Sequence, residues 1–201
     1  VSVVQFDEPV LTEVIFSHHQ TRSFMCAALS EKQDFVAELQ FAKSLITQIF
    51  EYARNKNIKT ALHVCRGNWS KDESVLLRGP YTSLVDLFES ALPDILMLEF
   101  STPRAGELSS LLEGKILRQK CILGLGVINP RSDEVETVDQ IVQRAEKALN
   151  YLPPEQIWLN PDCGFATFSN RPLNGFDIIE TKLKVLNEAK SILRERYVSR
   201  T

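Results

Sequence analysis

The segment Thr60-Ala61-Leu62-His63-Val64-Cys65-Arg66-Gly67-Asn68 is a short apolar run that ends in a His-x-Cys pair and a turn. Residues two apart in a strand point to the same face, so His63 and Cys65 are expected to project together from the strand's C-terminal end. Two such side chains supply half of a tetrahedral metal site. A polar strand end beside a buried thiol produces the same pattern, so the His-x-Cys pair alone does not establish a metal site.

Two later apolar runs end in similar chemistry. Leu96-Met97-Leu98-Glu99-Phe100 places a carboxylate at a strand end, and Ile157-Trp158-Leu159-Asn160-Pro161-Asp162-Cys163-Gly164 places a second cysteine at another. Zinc takes imidazole, thiolate and carboxylate ligands in proteins. The residues His63, Cys65, Glu99 and Cys163 therefore form a candidate zinc set.

The composition limits the class of protein that could carry such a site. The 201 residues are 44% hydrophobic and 24% charged, which is enough apolar material for one domain with a substantial core. The net charge of -3 provides no basic field, so nucleic-acid binding is disfavoured. No apolar run approaches the length of a membrane span, and the N-terminus lacks signal-peptide features. These observations predict a cytoplasmic protein without a membrane partner.

The four cysteines, Cys26, Cys65, Cys121 and Cys163, are too sparse for a disulfide framework. Free thiols are expected, with two of them bound to metal. Cys26 and Cys121 lie among apolar neighbours and are predicted to pack as small hydrophobic side chains. His18 and His19 lie in a weakly patterned segment and are predicted to be solvated loop residues.

Hydrophobic periodicity predicts alternating strands and helices. The segment 1–6 is predicted to be a strand buried on both faces, and residues 10–30 to be a loop with a short helix. Ser30 and Gln33 form a capping-box pattern at the start of a helix that runs to about Asn55. Further strands are predicted at 95–100, 121–128 and 156–160, and further helices at 82–92, 107–112, 138–149 and 178–197.

Alternation of strands with helices indicates an α/β fold with parallel strands joined by crossovers. Two architectures fit, an open doubly wound sheet and part of a (β/α)8 barrel, since both collect polar residues at strand C-termini. Convergence of His63, Glu99 and Cys163 from three strands favours the barrel. Gly124-Leu125-Gly126 lacks the third glycine of a dinucleotide fingerprint, so a Rossmann-type cofactor site is disfavoured.

The motifs also carry a family resemblance. In order, they are Asp7-Glu8-Pro9, His63-x-Cys65, Glu99 followed by Ser101, Gly124-x-Gly126-Val127, and Trp158-x-Asn160-Pro161-Asp162-Cys163-Gly164. This order resembles the catalytic C-terminal barrel of cobalamin-independent methionine synthase. The segment His-Val-Cys-Arg-Gly-Asn more closely resembles the shorter, single-barrel relatives of that enzyme. The resemblance implies a (β/α)8 TIM barrel of the methionine synthase and uroporphyrinogen decarboxylase type. Residues 1–201 would form the C-terminal part of a single catalytic domain, strands four to eight, with the first three strands missing.

The resemblance further implies that one zinc ion is bound by His63, Cys65, Glu99 and Cys163. Homocysteine's thiol would receive a methyl group from 5-methyltetrahydrofolate, giving methionine. Glu99 is the expected catalytic residue, as the ligand that loosens when the substrate sulfur arrives. Asp7 matches the carboxylate that holds the amino-acid ammonium group, and Glu8 and Ser101 are the other expected substrate-binding residues.

Two departures from the family pattern keep alternatives open. The synthases carry a histidine in the loop after the seventh strand, whereas the segment 127–132 contains none, so proton delivery is unassigned. The missing strands are expected to help hold both the amino acid and the folate, so the chain alone is expected to be inactive. Either it is a fragment of a longer polypeptide or a second chain completes the barrel, and on its own it is expected to be aggregation-prone or oligomeric. Alkyl transfer to another thiol such as coenzyme M, a corrinoid protein as methyl donor, and a non-catalytic zinc-binding remnant are the alternatives.

Overall fold

The computed structural model describes residues 1–20, 34–112 and 115–198, except for the side chains of residues 17–20. Strands alternate with helices along the chain, as predicted. The strands begin and end close to the predicted bounds, because each is an apolar run closed by a polar or turn-forming residue. They are β1 (Val3–Glu8), β2 (Lys59–Val64), β3 (Ile95–Leu98), β4 (Ile122–Ile128) and β5 (Ile157–Pro161).

The α-helices of the described ranges agree with the prediction in most places. Residues 138–149 form a helix with the predicted bounds, held at its start by a capping box between Thr137 and Gln140. The predicted helix at 107–112 is a single turn, and the sequence analysis did not anticipate the helix that follows it. The helices are α1 (Leu11–Gln20), α2 (Phe35–Arg54), α3 (Val85–Ala91), α4 (Leu108–Leu111), α5 (Lys115–Lys120), α6 (Val138–Leu149) and α7 (Phe176–Tyr197).

The Ser30–Gln33 capping box and Cys26 lie outside the described residues. In the structure, α2 begins at Phe35, and Asp34 caps it by accepting a hydrogen bond from the backbone N–H of Ala37 at 3.0 Å. A short acidic side chain at this position satisfies one of the unpaired donors of the first turn. None of the described helices is long and apolar enough to cross a lipid bilayer.

All five strands are parallel and lie in the sheet in chain order, β1-β2-β3-β4-β5. A doubly wound sheet reverses its strand order at a switch point, whereas a barrel adds each new strand on the same side of the last. The observed order is therefore that of part of a (β/α)8 barrel. In a parallel sheet all C-terminal strand ends meet at one edge, so the predicted metal ligands share that edge.

The interior strands are buried on both faces, as parallel strands covered by helices are expected to be. Every residue of β4 after Ile122 is buried, and so is every residue of β2 after Lys59. Their side chains pack with those of the surrounding helices in one core cluster. Its fully buried members include Val64, Phe88, Leu98, Val127 and Ile141.

The prediction that strand 1–6 is buried on both faces is wrong. Its residues alternate between exposed and half-buried, and Val3 is 39% exposed. Within the described residues, β1 pairs only with β2, so it lies at an open edge of the sheet, as expected. A strand is buried on both faces only where other elements cover both, and β1 has too few neighbours for that.

Apolar surface accompanies both edges of the sheet. Beside β1, the side chains of Phe41, Leu45 and Ile49 form an exposed stripe along α2 at 64%, 45% and 43% exposure. This stripe borders a groove of about 350 Å³ whose floor includes Phe6. A second groove of about 510 Å³ lies beside β5, between α6 and α7. Apolar patches of this kind mark surfaces where protein associates with protein.

We expect the 201-residue chain to self-associate through the stripe on α2. Replacing Phe41 and Leu45 by Lys places two charges there and should shift the population toward monomer. Light scattering with size-exclusion chromatography measures the change. Gln48→Lys adds charge at an exposed polar position of the same helix and serves as the control. A monodisperse, cooperatively melting monomer for the unaltered chain would contradict the expectation.

Candidate metal centre

His63 and Cys65 stand at the C-terminal end of β2. His63 is a buried residue of the strand, and Cys65 follows the strand's last residue. The turn beyond them depends on Gly67, whose φ of 99° is a left-handed conformation that favours glycine. A Cβ atom there would also lie 2.5 Å from the Trp69 ring. In this turn the Gly67 N–H donates to the Cys65 sulfur at 3.2 Å.

Cys163 joins this pair from the turn after β5. Its Sγ lies 3.8 Å from Sγ of Cys65, and the ligand atoms of His63, Cys65 and Cys163 all lie within 4.8 Å of one another. Two strands separate β2 from β5, so a flat sheet with strands about 4.8 Å apart would hold them about 14 Å from each other. The cluster therefore exists because the C-terminal edge of the sheet curves inward, as in a barrel.

The imidazole of His63 is oriented by the neighbouring strand. Its Nδ1 lies 3.1 Å from the Met97 carbonyl oxygen, which can only accept, so Nδ1 carries the proton in this contact. Nε2 is buried and has no hydrogen-bond partner among the described residues. A histidine that donates one ring N–H to a carbonyl while its other nitrogen is free has the arrangement of a metal ligand.

The geometry of the cluster fits a zinc ion. Zinc–sulfur bonds of about 2.3 Å in a tetrahedral site place two sulfurs about 3.8 Å apart, and the two thiols lie 3.8 Å apart. The unpaired Nε2 of His63 supplies a third donor. Two thiolates and an imidazole form a soft donor set that suits zinc better than magnesium or calcium.

The two thiols differ in their acidity. The contact between them lowers the pKa of Cys163 and, together with burial, raises the pKa of Cys65. Burial disfavours the imidazolium form of His63, but the Cys65 sulfur and the Met97 carbonyl favour it more, so its pKa is raised. The contact between the two thiols therefore favours loss of the proton from Cys163 before Cys65.

Glu99 lies directly after β3 and is 1% exposed. One carboxylate oxygen accepts from the backbone N–H of Arg66 at 2.8 Å, and the other lies 2.6 Å from Nη2 of Arg104 and 3.4 Å from Nη1 of Arg131. Burial and the neighbouring Asp162 raise the pKa of Glu99, and the two arginines oppose that rise. Glu99 is not one of the three clustered ligands, and its place in the zinc set stays a prediction.

Arg131 and Asp162 are central to this edge of the sheet, and the sequence analysis gave neither of them a role. Arg131 follows β4 and donates from Nη2 to Asp162 Oδ2 at 2.7 Å. Asp162 precedes Cys163 and accepts from the backbone N–H groups of Phe100 and Ser101 at 3.1 and 2.9 Å. The sequence feature that could have identified them is their position, since each charged residue comes shortly after a buried strand.

The predicted substrate-binding residues have different surroundings. Asp7 is exposed and accepts from Gln5 Nε2 at 2.8 Å, and it lies opposite His63 in the strand register. Glu8 is half-buried and accepts from the backbone N–H of Val10 at 2.9 Å. Ser101 is buried and donates its hydroxyl to Asp162. Substrate binding by these three residues stays a prediction.

Other residues named from the sequence are not among the three clustered ligands. Cys121 is buried, as predicted, and His18 and His19 lie in α1, where side chains are not described. Arg66 is buried with its guanidinium 3.8 Å above the Tyr81 ring, which is a cation–π contact.

Fold and site together define a class of protein: a parallel α/β barrel protein with thiol and imidazole side chains clustered at the C-terminal edge of the strands. Residues 1–172 match the family model described as the cobalamin-independent synthase, catalytic domain. The chain belongs to this family, the family of cobalamin-independent methionine synthase.

Several relatives are informative. The chain is 35% identical over 116 residues to a methionine synthase of Pyrococcus abyssi, covering 57% of this chain and 29% of that protein. It is 43% identical over 74 residues to a 5-methyltetrahydropteroyltriglutamate–homocysteine methyltransferase of Herpetosiphon aurantiacus, covering 37% of this chain and 9% of that one. The chain thus matches less than a third of either relative's length.

A solved structure is similar in fold. It is a B12-independent methionine synthase from Shewanella sp. W3-18-1 in complex with selenomethionine. The TM-score is 0.67 at 19% identity, over 98% of this chain and 49% of that one. At this identity the likeness shows the shared fold, and it confirms the α/β barrel architecture expected from the sequence.

We expect Cys65→Ser and Cys163→Ser each to lose most of the zinc held by the unaltered protein, because a neutral hydroxyl replaces a soft thiolate. Glu99→Gln should lose less. Elemental analysis of purified protein measures zinc per chain. Cys121→Ser makes the same chemical change outside the cluster and should retain the full zinc content. Full occupancy in the Cys163→Ser protein would show that the cluster is not the zinc site.

Cys121 should be unreactive while the protein is folded. Burial, followed by the charge of Asp94, raises its pKa to about 12. At pH 8 a thiol of that pKa is about one part in ten thousand thiolate, which is the reactive form. Alkylation by iodoacetamide, located by mass spectrometry, should therefore label Cys121 only after denaturation. Equal labelling rates in folded and denatured protein would contradict this expectation.

Proposed function

We propose that this chain carries the zinc-binding edge of a methyltransferase that moves a methyl group from 5-methyltetrahydrofolate to the thiol of homocysteine, forming methionine. The observation that carries the proposal is the cluster of His63, Cys65 and Cys163, whose ligand atoms lie within 4.8 Å of one another. Membership of the cobalamin-independent synthase family supports the reaction. The names of the relatives support both substrates.

The three-residue cluster suits thiol chemistry. A zinc ion bound there supplies an exchangeable fourth position and positive charge, which stabilise a thiolate at neutral pH. His63 keeps Nε2 available because Nδ1 is committed to the Met97 carbonyl. The Gly67 N–H holds the sulfur of Cys65 in place. A ligand site with fixed donor atoms loses little entropy when the cation binds.

Glu99 is proposed as the residue whose contacts change during the reaction. Its carboxylate lies beside the cluster, between Arg104 and Arg131, and these two cations balance its charge whether or not it binds the metal. A carboxylate with alternative partners leaves a ligand position at low cost, because it does not become an unpaired buried charge. Asp7, Glu8 and Ser101 remain the proposed substrate contacts.

We also propose that residues 1–201 are strands four to eight of one catalytic barrel. Parallel strands in sequential order and exposed apolar surface beside both sheet edges support this. A cytoplasmic location, a role in methionine biosynthesis, a homo-oligomeric state and the absence of nucleic-acid partners stay predictions. They are consistent with the family but depend on the whole protein.

Incubation of zinc-loaded protein in which the barrel is complete, as the intact polypeptide or with a second chain, with homocysteine and 5-methyltetrahydrofolate should form methionine, detected by mass spectrometry with an isotopically labelled methyl group. Coenzyme M and cysteine, tested in parallel as acceptors, should be methylated at least about tenfold more slowly, since acceptor choice reflects the contacts around the thiol. The Cys163→Ser protein is the inactive control. Faster methylation of coenzyme M would overturn the assignment of homocysteine.

A second measurement separates a non-catalytic zinc protein from an enzyme that lacks the right donor. In cobalt-substituted protein, addition of homocysteine should strengthen the thiolate-to-cobalt absorption, because a third sulfur joins the two cysteines. Homoserine, which has a hydroxyl in place of the thiol of homocysteine, is the matched control ligand. Zinc binding without a spectral response to any thiol, and without turnover, would favour the non-catalytic alternative.

A further inference from the structure

Among the described residues, Arg131 connects several loops at the C-terminal edge of the sheet. It is 1% exposed, and its guanidinium contacts Asp162 Oδ2 at 2.7 Å, Glu99 Oε2 at 3.4 Å, Asn68 Oδ1 at 3.4 Å and Glu73 Oε1 at 3.5 Å. These partners follow β2, β3 and β5, while Arg131 follows β4. One guanidinium thus connects the C-terminal ends of four adjacent strands.

The backbone around Arg131 is itself fixed. The buried ammonium of Lys182, on α7, donates to the carbonyl of Asn129 at 3.1 Å and to Glu136 Oε2 at 2.9 Å. The other oxygen of Glu136 accepts from the N–H of Asn129 at 2.7 Å. The Asn129 side chain in turn accepts from the N–H of Arg131 at 3.0 Å. The loop after β4 therefore presents Arg131 in a defined position.

Asp162 transmits this position to the metal centre. Its two oxygens are shared between Arg131 and the 100–101 backbone, so the turn after β5 is tied to β3 and β4 at once. Cys163 is the next residue in the chain. A shift of the Asp162 side chain would move the backbone that carries the Cys163 sulfur.

We propose that Arg131 is a positioning residue for the metal centre: by bridging Asp162 and Glu99 it sets where the Cys163 thiolate meets the cation. The inference rests on the proposed zinc site and adds a residue outside the ligand set. The loop that carries Arg131 is the one that lacks the histidine expected from the family resemblance. Its contribution here is therefore a fixed cation rather than a proton donor.

Arg104 makes a discriminating comparison. It also pairs with Glu99, at 2.6 Å, but its hydrogen bonds go to Glu99 and to the carbonyls of Arg66 and Leu77 rather than to Asp162. If Arg131 acts only by neutralising Glu99, removing Arg104 should affect zinc binding at least as strongly. If it acts through Asp162, the effect of Arg131 should be larger and should depend on Asp162.

The experiment measures zinc affinity by competition with a chromogenic chelator, and the absorption spectrum of the cobalt-substituted protein. The variants are Arg131→Met, Asp162→Asn and the double variant, with Arg104→Met as the matched control. We expect each of the first two to lower zinc affinity by about 10- to 100-fold, the usual effect of removing a residue that orients a ligand. We expect the zinc affinity of the double variant to be within about twofold of that of the weaker-binding single variant, since both changes break the same ion pair between Arg131 and Asp162.

The cobalt spectrum provides the readout that a general loss of stability would not change. Arg131→Met should weaken the thiolate-to-cobalt band, because one of the two sulfurs is displaced, while Arg104→Met should leave it near that of the unaltered protein. Equal affinities for the Arg131→Met and unaltered proteins, or strictly additive losses in the double variant, would overturn the inference. Failure of the unaltered protein to bind zinc would instead overturn the proposed metal site and the inference with it.

Arg131→Lys keeps the buried charge and replaces Arg131→Met as the test variant if the Met variant does not fold. A lysine is a single point charge and does not reproduce the bidentate bridge between two carboxylates. We expect a folded protein with zinc affinity between those of the unaltered and Asp162→Asn proteins. An affinity and cobalt spectrum identical to those of the unaltered protein would show that bridging by the guanidinium is not needed.

Discussion

Two carboxylates buried next to each other, Glu99 and Asp162, impose the constraint on which the functional edge depends. Each is 1% exposed. Desolvating an ion costs several kcal/mol unless other groups compensate for it, and two like charges in contact increase the cost. Arg104 and Arg131 supply that compensation. The arginines on the loops after β3 and β4 therefore lower the cost of burying the two carboxylates.

The candidate metal centre lies at the same edge of the sheet. Cys65 and Cys163 come from strands that are not neighbours in the sheet, and their 3.8 Å separation requires a curved edge. Packing of helices on the outer face curves the sheet, but it does not determine positions to a fraction of an ångström. Hydrogen bonds and ion pairs among the loops fix positions more closely, because they are directional. The polar network thus helps to fix the positions of the two thiols at the curved edge of the sheet.

The sheet edges present a different physical situation. β1 is an open edge with exposed backbone groups, and the grooves beside β1 and β5 expose apolar side chains. An open strand edge is a liability that proteins usually cover or disrupt, because it templates further strand pairing. The polar C-terminal rim and the apolar flanks are therefore separate surfaces, one suited to chemistry and the other to association.

The sequence by itself predicted the strands, most of the helices and three residues that the structure brings together, His63, Cys65 and Cys163. Apolar runs of strand length are local signals, and period-two spacing placed His63 and Cys65 on one face. Only the tertiary structure decided the exposure of β1, the engagement of Ser101 by Asp162, and the central place of Arg131. These features depend on contacts between residues that are far apart in the chain, and hydrophobic periodicity contains no information about which loop arginine reaches which buried carboxylate.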